Sequence, residues 1–219
     1  MTARFETLVI APHADDEVLG CSSVLTRDAF VLYVGIDDMH VVDRDTRLRE
    51  VAAVSEYFGF SWSAASFCVN RYYTEHFAII QEIERVIEHT RPTRVFIPSP
   101  SYNQDHRTVS QACHVALRQH DRNHFVPRVF GYEAPDSYVG YGGDGLLSAV
   151  NYFIPVDIER KLRGYRLHAS QVRAHRSEHI LRGMAAHRGA QSMLPGAEGF
   201  HVVRWVEQPA AGEVRVVGR

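Results

Sequence analysis

Cysteine is scarce: there are only Cys21, Cys68 and Cys113, with no C-x-x-C spacing. An odd count without paired spacing argues against a disulfide framework and a cysteine zinc site. Neither charge is in surplus. With 24 Lys and Arg against 26 Asp and Glu the net charge is -2, so the basic footprint of a dedicated nucleic-acid binder is missing. No apolar run approaches the ~20 residues of a membrane span. The opening Met-Thr-Ala-Arg-Phe-Glu-Thr lacks the basic start and apolar middle of a secretory signal. The expectation is a reduced, cytoplasmic protein with no nucleic-acid partner and no membrane span. Histidine, in contrast, is plentiful at 13 residues in 219, which directs attention to metal and acid–base chemistry.

Short apolar runs predict buried strands at Thr7–Ala11, Phe30–Ile36, Arg94–Pro98, Arg128–Tyr132, Tyr152–Val156 and His201–Val206. Helical apolar spacing recurs at 17–25, 47–58, 79–89, 108–120 and 158–181, with Gly59 placed to end the second of these. Strands alternating with helices imply a doubly wound α/β fold, its sheet mostly parallel. No linker, repeat or low-complexity stretch divides the chain. Residues 1–219 are therefore expected to form a single α/β domain, Rossmann-like, with helices on both faces of the sheet.

In such sheets ligands bind beyond the carboxyl ends of the strands. Two segments at such ends carry reactive side chains: Pro12-His-Ala-Asp-Asp-Glu17 after the first strand, and Ser99-Pro-Ser-Tyr-Asn-Gln-Asp-His106 after the strand ending at Pro98. A catalytic zinc takes three protein ligands and keeps one position open, and His13, Asp16 and His106 would supply that set. The neighbouring carboxylate of Asp15 would stay free to hold a water as general base. An Asp-Asp-Glu run ahead of a helix also serves simply as favourable charge at a helix start, and spacing alone does not choose between the two.

At these residues a resemblance is plain. Val9-Ile-Ala-Pro-His-Ala-Asp-Asp-Glu-Val-Leu-Gly-Cys21 resembles the signature of the PIG-L/LmbE-like N-acetylglucosaminyl deacetylase family, and Asn103-Gln-Asp-His-Arg-Thr-Val109 resembles its downstream Asp-His element. Arg47 with Glu50 and Gly59, Lys161 with Ser170-Gln171, and Arg188-Gly189 with Ala197-Glu198-x-Phe200 also read as family-like, so the resemblance runs from about residue 7 to 200. It implies that His13, Asp16 and His106 bind Zn2+, or Fe2+ or another divalent ion, and that Asp15 is the catalytic base. The implied reaction is hydrolysis of the N-acetyl amide of an amino sugar, or of a glycoside containing one, to free amine and acetate. Two positions depart from the pattern. Ala14 stands where the family usually has Pro, and Asn103 where many members have a His. An Asn can donate to an oxyanion but cannot shuttle a proton, which places more of the acid–base work on Asp15.

Around this set, Asp105 is expected to hold the metal-bound His106 in orientation, and Arg47 to reach substrate or pair with Glu50. Glu17 is expected to bond backbone amides in the first helical turn. Two other motifs lack their context. Gly140–Gly145 fits G-x-G-x-x-G without the strand before and helix after, and is expected to be a loop over the pocket with Tyr138 or Tyr141 near a sugar. His175-Arg-Ser-Glu-His179 fits an inverted zinc-protease motif but is expected to be an exposed charged helix. Alternatives to deacetylation are an amidase for another N-acyl or thiol-conjugate amide, and a non-catalytic sugar-binding relative. The partner expected is a small-molecule amino sugar. A homo-oligomer is compatible with the Val-rich tail from Pro209 to Arg219, read as an edge or interface strand.

Overall fold

The computed structural model describes residues 4–36, 42–119, 124–135 and 150–207. Gly140–Gly145, Tyr138, Tyr141 and the tail from Pro209 lie outside the described residues. Among these, seven strands form one sheet: β1 (Thr7–Ala11), β2 (Ala29–Tyr33), β3 (Ser61–Ala64), β4 (Arg94–Pro98), β5 (Arg128–Tyr132), β6 (Tyr152–Pro155) and β7 (Ala197–Trp205). Their order is β3-β2-β1-β4-β5-β7-β6. β1 to β5 pair in parallel, whereas β7 runs antiparallel to both β5 and β6. The sheet is mixed and mostly parallel.

Every residue of β1 and β2 is buried, as continuous Thr-Leu-Val-Ile-Ala and Ala-Phe-Val-Leu-Tyr runs require cover on both faces. The two-residue strand period sorts side chains between those faces. Val9, Ala11, Val31, Tyr33, Phe96 and Phe130 pack with α1 (Asp16–Cys21), α2 (Arg44–Phe58), α5 (Ile158–Leu167) and α6 (Glu178–Ser192). Leu8, Ile10, Leu32, Val95, Ile97 and Val129 pack instead with α3 (His76–Thr90) and α4 (Gln104–Ala116). α2 starts where the Asp43 side chain accepts the Thr46 N–H and stops at Gly59, whose φ of 90° is a conformation glycine adopts without strain. No helix of the described residues is long and apolar enough to cross a membrane.

Three sequence expectations need correction. The single helix expected over 158–181 is two helices, α5 and α6, joined through one-turn 3-10 segments at Ala169–Gln171 and Ala174–Arg176. The chain breaks there because His168 turns into the core towards Glu17 and Arg176 turns towards Asp15. β3 carried no signal: Ser-Trp-Ser-Ala is a short, partly exposed edge strand without an apolar run. β7 starts at Ala197, not His201, because Glu198 is buried against a partner that the pattern does not reveal. That partner is Lys161, the only lysine in the sequence. Its Nζ donates to Glu198 and to the Leu19 carbonyl at 2.7 Å each, and Glu198 also accepts from Ser22 and Ser23. The pair ties the end of α1 to α5 and β7.

The chain leaves β1 towards β2 and β3 on one side, and β4 and β5 lie on the other. The order reverses between β1 and β4, and a crevice opens at such a reversal. The loops that follow β1 and β4 meet there.

Candidate active site

β1 carries Pro12-His-Ala-Asp15 to the edge of the sheet, and α1 begins at Asp16. In the loop after the neighbouring strand β4, Asn103 caps α4, its Oδ1 accepting the Asp105 N–H at 2.9 Å. That cap starts the helix so that its first turn brings Asp105 and His106 against the β1 loop.

His13 Nδ1, Asp16 Oδ2 and His106 Nε2 form a nearly equilateral triangle. The sides are 3.3 Å from His13 to His106, 3.3 Å from His106 to Asp16 and 3.4 Å from His13 to Asp16. A tetrahedral zinc with bonds of ~2.0–2.1 Å sets its ligand atoms ~3.3–3.4 Å apart. The donor set fits in chemistry as well as spacing, since zinc takes imidazole nitrogen and carboxylate oxygen readily. Among the described residues this is the one His/Cys/Asp/Glu cluster of metal-binding geometry. Its electrostatics ask for positive charge. Burial opposes a charged His13, but the Asp105 and Asp16 carboxylates outweigh it and push its pKa up to about 10. Burial would raise Asp16, yet His106 and His13 hold it well below the usual carboxylate range.

Asp105 is fully buried, and its Oδ2 accepts the Asn70 N–H at 2.7 Å and lies 3.1 Å from His13 Nε2. The sequence associates Asp105 with its neighbour His106; the structure puts it on His13, across the two loops. A carboxylate behind an imidazole fixes the ring and leaves Nδ1 as the atom facing the cluster. Tyr72 stacks on His13 with ring centres 6.0 Å apart and donates its hydroxyl to the Pro12 carbonyl at 2.8 Å.

Asp15 occupies the N-cap position of α1, yet its side chain caps no backbone N–H. Its Oδ2 pairs instead with Arg176 Nη1 at 2.8 Å. Burial pushes the Asp15 carboxyl up to about 6, with Arg176 pulling it down and Asp16 adding to the rise. A carboxylate near that value suits proton transfer close to neutrality. A cavity of about 250 Å³ opens over the cluster, lined among others by Asp15, Asn103, His106, His175 and Arg176. That is just under the ~300 Å³ at which ligand pockets usually begin, so it admits the reacting end of a substrate.

Arg47 is 2% exposed and braces the turn rather than standing open to solvent. It donates to Glu50 at 2.9 Å, to Ser170 at 3.1 Å and to the Ala14 carbonyl. Glu50 in turn accepts from the Ser170 N–H and hydroxyl at 2.7 Å each. The family-like Arg47, Glu50 and Ser170 thus form one buried brace, and Arg188 pairs with Glu133 in another. Sequence reading missed Arg176, and it missed His168 altogether. The segment His175–His179 is not one exposed helix: His179 is exposed, but Arg176 enters the site from a separate turn. The signal was present only as a cluster of polar residues whose direction depends on the break between α5 and α6.

No protein-family model matches the chain, and no curated protein does. Solved structures do. The 4-carboxy-2-hydroxymuconate hydratase of Pseudomonas putida superposes with a TM-score of 0.73 at 17% identity, over 96% of this chain and 100% of that one. N,N'-diacetylchitobiose deacetylase of Pyrococcus horikoshii gives 0.67 at 18% identity over 90% and 83%. A zinc-inhibited form of a teicoplanin deacetylase gives 0.69 at 16% identity over 92% and 99%. At these identities the likeness is one of fold. The chain has the fold of these two deacetylases of the PIG-L/LmbE family, the family its first motif resembles, and of a hydratase as well.

Proposed function

We propose that this chain is a metal-dependent N-deacetylase, hydrolysing the N-acetyl amide of an amino sugar or amino-sugar glycoside to amine and acetate. The observation that carries the reading is the zinc-sized triangle of His13, Asp16 and His106 with the buried Asp15 carboxylate beside it. Deacetylases of the same fold support it. His13, Asp16 and His106 are the ligands in this reading, and the nitrogen–oxygen donor set favours zinc, with ferrous iron the main competitor. A divalent ion held there supplies Lewis acidity towards the acetyl carbonyl and lowers the pKa of a water from ~15.7 towards ~7.

The chain's own residues do the rest. Asp15 accepts a proton from the attacking water and returns it to the departing nitrogen, so one carboxyl serves both steps. Arg176, paired with Asp15, favours its ionised form before reaction. Asn103 has its Oδ1 committed to the helix cap, which leaves its NH2 to donate to the developing oxyanion. Asp105 keeps His13 oriented. We also read residues 1–219 as one catalytic domain, since both loops grow from a single continuous sheet. The order β3-β2-β1-β4-β5 matches that of a Rossmann-like sheet and supports that description.

The test is product analysis of the metal-loaded protein on a panel of N-acetyl amino sugars and their glycosides. Equimolar acetate and free amine are expected. Because a hydratase shares the fold, an unsaturated carboxylate is assayed alongside. Water addition there without acetate release from any amide would refute the deacetylase reading.

A further inference from the structure

α1 begins in an unusual way. An Asp at a helix N-cap ordinarily accepts a hydrogen bond from the N–H two or three residues on. Asp15 does not, and its φ of 149° lies in a region that residues other than glycine avoid. Such strain persists only where the surroundings over-determine it.

Here the surroundings do. Glu17 reaches back two residues, its Oε2 accepting the Asp15 N–H at 3.0 Å. Its Oε1 meets His168 Nε2 at 2.6 Å, and both side chains are completely buried. The carbonyls just upstream are also held, that of Ala14 by Arg47 and that of Pro12 by Tyr72. In a capping box the cap residue and an acidic residue inside the helix both bond backbone, so both side chains are consumed. In α1 only Glu17 is consumed, and the Asp15 carboxylate goes to the cavity instead.

We propose that Glu17, anchored by His168, is a positioning residue: by accepting the Asp15 N–H it holds the backbone of Asp15 in its strained conformation and thereby presents the Asp15 carboxylate to the reacting atoms. The proposal rests on Asp15 being the base. Glu17 belongs to neither the cluster nor the cavity lining, and its direct contact with the site is the hydrogen bond from the Asp15 N–H. Losing the Asp15 N–H acceptor lowers stability in either case; a purely structural Glu17 would change metal content together with rate, whereas a positioning Glu17 changes kcat with metal content and KM unchanged.

The test uses the full metal-loaded chain and an N-acetyl amino sugar that it deacetylates. Glu17→Gln keeps an acceptor for the Asp15 N–H. Glu17→Met combined with His168→Phe removes both polar partners in favour of apolar groups of similar size, so that neither side chain of the pair is stranded and the Asp15 N–H alone loses its acceptor. Glu17→Gln is expected within about threefold of the wild-type kcat and the double variant about 10–100-fold below it, as for lost outer-sphere support. KM, metal content and fold should stay as in the wild type. Should the double variant not fold, Glu17→Met with His168 retained carries the same expectation. An unchanged kcat, or a loss that follows metal content in step, overturns the proposal. Asp15→Asn separates it from the base assignment. If Asp15→Asn is inactive while the double variant is fully active, positioning alone is wrong. If Asp15→Asn is active, the base assignment fails and the proposal fails with it.

Discussion

Replacing Asp105 by Asn removes a charge while leaving the hydrogen-bond pattern available. Asp105 Oδ2 serves two donors, the Asn70 N–H at 2.7 Å and His13 Nε2 at 3.1 Å, while its Oδ1 has no hydrogen-bond partner among the described residues. An Asn can put its carbonyl oxygen where Oδ2 was and keep both bonds. Its NH2 then falls where Oδ1 was, buried without an acceptor. A hydrogen bond to a charged group is worth ~1.5–3 kcal/mol and a neutral one ~0.5–1.5, so the His13 contact weakens by about 1–1.5 kcal/mol. At ~1.4 kcal/mol per factor of ten, the metal Kd should rise about tenfold, at the lower end of the ~10–100-fold typical for such carboxylates. The stranded NH2 acts separately, lowering folding stability by ~1–3 kcal/mol. Competition against a chromophoric chelator near neutral pH reads the first effect, and urea unfolding of the metal-free protein the second. A Kd within about twofold of wild type would refute the idea that Asp105 supports a metal-bound His13.

Other consequences are as direct. Asp15→Asn should keep its metal and lose roughly 10²–10⁴ in turnover, the range of general acid–base catalysis, whereas His106→Ala should lose metal and His175→Ala and His179→Ala should not; elemental analysis of the purified variants decides. Burial alone would raise Glu198, but Lys161 and the Ser22 and Ser23 contacts hold it below its ordinary value. A carboxyl depressed by folding stabilises above its unfolded pKa of ~4.3, and that contribution disappears as pH falls through the folded value. Stability measured by urea unfolding should therefore decline on the acid side of ~4.3, and Glu198→Gln, which strands Lys161, should cost roughly 3–5 kcal/mol at neutral pH with a shallower acid decline. Because the only lysine is 5% exposed, an amine-reactive reagent should modify Lys161 in denaturant and leave it untouched in the native protein. Ready native labelling would show that the Lys161–Glu198 pair opens.

The sequence was most legible where chemistry and periodicity coincide. Arg94–Pro98 and Arg128–Tyr132 are strands with the bounds their apolar runs predict, because a strand buried at every residue after its first has no polar face to blur its ends. His13, Asp16 and His106 come together because β1 and β4 are neighbours at the point where strand order reverses. What could not be read is whatever depends on a distant partner. Glu198 inside a buried strand makes sense only with Lys161, and Asp105 serves His13 rather than the residue beside it. Arg176 reaches Asp15 only because His168 breaks the helix that Ile158–Leu181 would otherwise continue. No local pattern encodes these meetings; they follow from the spatial order of the strands in the sheet and the helices packed on it.

Acetate release measured while metal is removed and returned tests the central claim most directly. Purified chain is stripped with a chelator, and Zn2+ or Fe2+ is added back in fractions of an equivalent under reducing conditions. The account predicts negligible acetate from an N-acetyl amino sugar without metal, and activity rising linearly until one ion per chain is bound. It further predicts that His106→Ala abolishes that rise. Acetate release that survives complete removal of metal, or a rise that does not need His106, would contradict it.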